Sequence, residues 1–98
     1  MAHTPEIVAG VAWFRASQWQ LLRSLATDAD DLEETHEEWV KIAEKTIENL
    51  AREGVHTQKV DVDVNELQAW CSAQKRPLDS LARAAYAAAH LRELHENA

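Results

Sequence analysis

The chain has 98 residues, 46% of them hydrophobic, with 17 acidic and 10 basic side chains and a formal charge of -7 at pH 7. That length predicts a single domain able to bury ~two-thirds of the surface its unfolded chain exposes, with no disulfide or metal staple. The lone Cys71 excludes an intrachain disulfide, no apolar run approaches the ~20 residues of a membrane span, and the acidic balance disfavours direct binding to nucleic acid or anionic lipid.

The opening "MAHTPEIVAG" has no basic region and carries Glu6 just before the apolar residues, unlike a secretory signal, so a cytoplasmic protein is expected. Residues 7–14, "IVAGVAWF", are apolar at both odd and even positions, which suits a strand buried on both faces. The rival helix would start at Thr4 and Pro5 but would carry Gly10 in its interior, at ~1 kcal/mol relative to Ala. Ser17 and Gln20 have the spacing of a capping box, so a short helix should follow, burying Trp19, Leu22, Leu25 and Ala26 and ending at Asp28 to Asp31.

Asp30 and Glu33 repeat the cap spacing at the start of the most periodic segment. Leu32, His36, Trp39, Ala43, Thr46 and Leu50 recur at steps of four and three, widened by Val40, Ile42 and Ile47, which predicts a helix of about six turns. Carboxylates crowd its first turns, where the helix dipole favours them, and Glu37–Lys41 and Glu48–Arg52 are i,i+4 pairs. Gly54 should stop it in a left-handed conformation. Val60, Val62 and Val64 then alternate with polar residues, placing a second strand at 57–62. Leu67, Trp70, Cys71 and Gln74 predict a third helix, ended by Pro77. A fourth runs from about Asp79 to Leu94, with Leu81, Ala85, Ala88 and Leu91 on its apolar face beside Tyr86 and Ala89, and alanines that admit a neighbouring backbone.

The predicted fold is α+β and mainly helical, about four helices and a minimal two-stranded sheet in the order β-α-α-β-α-α. Two isolated strands are marginal in water, so they must pair under the helices or be completed by another chain. A homodimer would satisfy an open edge.

Chemistry is sparse. "DVDVNE" (61–66) opens like a calcium loop, but the positions that need Gly and a bidentate Glu hold Glu66 and Ser72. Its residues serve better as a junction: Asp63 caps the next helix, Glu66 completes a capping box, and Val62 and Leu67 form a hydrophobic staple. His3, His36, His56, His90 and His95 include no i,i+4 pair, so no zinc site is expected. Cys71 lies on an apolar helix face, and the chain's two glycines exclude a glycine-rich phosphate loop. No catalytic residue, cofactor or metal is assigned. Trp13, Trp19, Trp39 and Trp70 read as core or as a partner or ligand pocket. Arg15 and Arg83, beside predicted buried stripes, read as internal ion pairs or as anion-binding groups. The candidate contacts are Arg15, Trp39, Trp70, Arg83 and Tyr86.

The segments "AWFRASQW" (12–19), "LEETHEEW" (32–39), "KVDVDVNELQAWC" (59–71) and "PLDSLARAAY" (77–86) resemble a family of small bacterial proteins of unknown function. The resemblance implies a compact bacterial domain and transfers no activity or functional residue. The expected function is an interaction or regulatory module that presents an acidic helix to a protein partner or to itself. The alternatives are a ligand-binding domain or small enzyme with a Trp/Arg-lined pocket, and an acidic nucleic-acid mimic of the inhibitor or antitoxin kind.

Overall fold

A computed structural model describes residues 8–96, without the side chains of the last two. Thr4, Pro5 and Ile7, which enter the rival readings of the first segment, and His3 lie outside the described residues. The elements are β1 (Val8–Phe14), α1 (Trp19–Leu25), α2 (His36–Arg52), β2 (His56–Val62), α3 (Val64–Ala73) and α4 (Ser80–Glu96), with single 3-10 turns at Ala16–Gln18 and Ala29–Asp31. The expected order and mainly helical α+β class hold.

The strands pair in parallel, from Val8 opposite His56 to Phe14 opposite Val62. A parallel pair needs a long crossover, which α1 and α2 supply. Because side chains alternate along a strand, one face carries Gly10, Ala12, Phe14, Val60 and Val62, and the other carries Ala9, Val11, Trp13, Lys59 and Asp61. Helix α4 covers the first face, where Ala87 and Leu91 pack on Val60 and Ala12. Gly10 permits this approach: a Cβ there would lie 3.0 Å from the Ala87 carbonyl oxygen. The glycine that counted against a helical first segment is therefore where a helix backbone seats on the strand. The main core lies beyond the carboxyl ends of the strands, where Phe14 and Val62 meet Trp19, Leu22, Leu67, Cys71, Ala82 and Tyr86.

Local signals explain most boundaries, with corrections at the caps. Ser17 lies within a 3-10 turn and forms no capping box. Gln18 occupies the cap position of α1 without a side-chain bond to it. Its side chain accepts from the Val64 amide instead, and Gln20 donates to the Glu34 carbonyl. The cap of α2 is Thr35, not Asp30: its hydroxyl accepts from the Glu38 amide and donates to the Glu38 carboxylate. The helix is thus 17 residues long, just under five turns. Asp63 caps α3 as expected, accepting from the amides of Asn65 and Glu66, and Asp79 caps α4 through the Ala82 amide. The apolar face of α4 is rotated from the expected one. Ala82, Tyr86, Ala87 and Leu91 are buried, whereas Leu81 is 72% exposed.

Two helices end alike. After α2, Gly54 at φ 85° lets the amides of Val55 and Gly54 bond back to Leu50 and Ala51, which is a Schellman motif. After α3, Arg76 and Lys75 bond back to Cys71 and Ser72, with Lys75 at φ 53° in the position Gly would favour. Lys75→Gly is therefore expected to stabilise the chain by about 0.5–1 kcal/mol, read as a higher urea midpoint with an unchanged slope.

Candidate functional site

Helix α2 separates its apolar and polar residues more cleanly than α3 or α4, yet none of its residues is buried. It lies on the second face of the sheet, tied to β2 by the Lys59–Glu44 ion pair at 2.8 Å and to β1 by Trp39 against Trp13 at 4.8 Å. A stripe of that kind normally stabilises a helix by being covered. Here Ile42 remains 53% exposed.

The stripe is only partly covered: Trp39 packs against the core, while Ile42 and Ile47 line a groove beside Val11 of β1. Among the described residues β1 pairs only with β2, and each strand of a parallel pair turns alternate N–H and C=O groups away from its partner. Two grooves follow this edge. One, of 290 Å³, is lined by Val11, Leu32, Trp39, Ile42 and Ile47 together with Asp31, Glu33 and Arg83. The other, of 490 Å³, is formed by Val8, Ala9 and Gly10 with Ala88, Leu91 and Arg92 of α4. A further depression along the outer side of α2 is lined by Lys41, Glu44, Lys45, Glu48 and Arg52, and there Arg52 pairs with Glu48 at 2.7 Å. That surface is an ordinary solvated helix face.

The Trp39 end of the first groove is closely packed. Trp39 stacks on Trp19 at 5.2 Å and meets Phe14 edge-on at 5.5 Å. Trp19 donates to the Glu33 carbonyl. His36 Nε2 donates to the Phe14 carbonyl at 2.6 Å, which fixes its tautomer. Arg83 forms two parallel bonds with Asp28, at 2.8 and 2.7 Å, with side chains only 11% and 18% exposed. The guanidinium holds the Asp28 carboxyl below the usual carboxylate range, against the opposing effect of burial.

Of the candidate residues, Trp39 and Arg83 come together in this groove. Arg15 sits elsewhere, bidentate on Asp61 at 2.6 and 3.2 Å and within 3.4 Å of Asp63. The would-be calcium ligands Asp61 and Asp63 are thereby engaged, one by Arg15 and one chiefly as a helix cap. Trp70 and Tyr86 form a separate edge-to-face pair at 5.4 Å, with Arg76 over the Trp70 ring. Both arginines thus have carboxylate partners, which favours the ion-pair reading over anion binding. Burial pushes the Cys71 thiol up, away from the thiolate a nucleophile requires.

Among the described residues, no group of three or more His, Cys, Asp or Glu could hold a metal ion. No described helix is long and apolar enough to cross a membrane. Reading residue by residue missed Val11, Ile42 and Ile47 as site residues. The only signal was the charge-free run from Val8 to Phe14, which promised burial on both faces, whereas Val8 is exposed and Ala9 to Trp13 are only partly buried. No protein-family model, curated protein or solved structure significantly matches the chain.

Proposed function

We propose that this chain is a small protein-interaction module whose contact surface is the open edge of β1 together with the apolar side of α2. The observation that carries the reading is that the strongly amphipathic α2 buries no residue and shares a groove with β1, whose other edge has no strand partner among the described residues. Polypeptide covers such a surface best, because added backbone satisfies the edge while apolar side chains fill the grooves. The acidic segment contributes Asp31 and Glu33 to the lining of one groove, while Asp28 is committed to Arg83.

A small-ligand site is less well supported, because the one cation lining the first groove, Arg83, is already bidentate on the Asp28 carboxylate. Nothing in the geometry favours the nucleic-acid-mimic reading over a general acidic rim.

The test is photo-crosslinking in cells of the source organism, with a benzophenone amino acid at Ile42 and, as control, at the exposed Ser72 of α3. Adducts of protein mass, to another copy or to a different protein, are expected at position 42 and not at 72. Their absence at position 42 would end this reading.

A further inference from the structure

We infer that the occupant of the β1 edge is the β1 strand of a second copy, paired antiparallel about a two-fold axis at Val11 to give a four-stranded sheet. The inference rests on the interaction-module reading above and adds the partner and its register.

Three observations point to a second copy. First, an added strand would lie between residues of α4 on one side, Ala88 and Leu91, and residues of α2 on the other, Ile42 and Ile47. It must therefore be uncharged and apolar on both sides. β1 itself is such a strand, with no charged or polar side chain from Val8 to Phe14, whereas β2 carries His56, Gln58, Lys59 and Asp61. Second, the rims of the edge differ in charge. Arg92 lines the groove beside Val8 to Gly10, and Asp31 and Glu33 line the groove that runs along Val11, Ala12 and Phe14. Antiparallel pairing sets each strand's Val8 beside its partner's Phe14, so each Arg92 approaches two opposing carboxylates, where parallel pairing would align like with like. Third, the two-fold keeps both copies of α2 on one face of the sheet, so the exposed Ile42 and the groove beside it are closed by the same residues of the partner. An isologous contact of this kind is self-limiting and removes the edge.

The register is set by the pleat. Residues directly opposite in an antiparallel pair point to the same face. Centring on Val11, the middle of seven residues, pairs the most backbone and brings α4 faces to one side. Val11 then lies opposite its own copy, with Cβ atoms ~5 Å apart, while Ala9 lies opposite Trp13 and ~13 Å from its copy.

The experiment uses the full chain. Light scattering across a dilution series is expected to show a dimer that dissociates on dilution. In a Cys71→Ala background, Val11→Cys should form an intermolecular disulfide under mild oxidation, and Ala9→Cys should not. Because these substitutions touch the strand, exposed charges give an independent arm. Arg92→Glu should weaken dimerisation about tenfold, and combining it with Asp31→Arg and Glu33→Arg should restore it. A monomer at every concentration overturns the second copy as occupant; protein adducts at position 42 to a different protein would then leave the interaction-module reading standing. A dimer that cross-links through Ala9→Cys but not Val11→Cys, or whose affinity ignores the charge reversals, overturns the proposed pairing.

Discussion

Arg83→Ala is expected to lower the stability of the fold by about 3 kcal/mol, far more than a surface ion pair would contribute. The reason is asymmetry. Arg83 and Asp28 are mostly withdrawn from solvent and bonded through both pairs of atoms. Removing the cation leaves a mostly withdrawn carboxylate with only the backbone amides of Asp28 and Ser80 beside it, which do not replace two charge-assisted bonds. Replacing both partners, as in Arg83→Leu with Asp28→Leu, removes the charge along with its need for a partner and should recover most of the loss. Urea midpoints of the two variants make the comparison.

The same pair predicts an acid limb. The Asp28 carboxyl is held below its unfolded value, chiefly by the Arg83 bonds, so its contribution is present above that value. It is lost as pH falls below about 4 and through the still lower folded value. The double variant should unfold less steeply with acid than the parent. Some slope should persist, because Asp61, bonded to Arg15, and Asp63, bonded to helix amides, are also shifted down.

Gly10→Val is expected to destabilise by about 3 kcal/mol, at the upper end of what overpacking costs. Its Cβ would sit 3.0 and 3.3 Å from the carbonyl oxygen and carbon of Ala87. Those atoms belong to a hydrogen-bonded helix backbone and cannot swing aside as a side chain would. The branched side chain should therefore lift α4 from β1, loosening the contact of Leu91 and Ala87 with Val60. On propensity alone the change should stabilise a strand, so the sign separates local preference from packing. Thermal melts of Gly10→Val beside Gly54→Ala make that separation visible: Gly54 has open space around its Cβ position and a positive φ, so its effect comes only from backbone conformation.

Much of this fold was legible because local rules act over short distances. Asp63 before the third helix and Gly54 after the second are read correctly from neighbours within a turn. The cap of α2 was misplaced because Asp30–Glu33 and Thr35–Glu38 carry the same spacing. Choosing between them depends on where Glu33 and Glu34 go, and their carbonyls are taken by Trp19 and Gln20 of a different element. The face of α4 was misjudged because a helix rich in alanine has little hydrophobic contrast. Contact with Gly10 and Val60 selects its orientation, a choice no periodicity records.

The candidate site divides in the same way. The sequence by itself determined the chemistry available: a charge-free strand, an amphipathic helix, seven carboxylates between Asp28 and Glu38, and two arginines beside apolar stripes. Those depend on composition and spacing, which are local. Only the tertiary structure decided that Arg83 is held by Asp28, 55 residues away, that Arg15 is held by Asp61, and that β1 and α2 line a common groove. Pairing and exposure depend on which distant segments meet, and a two-stranded sheet leaves an edge that only the assembled fold can show as open.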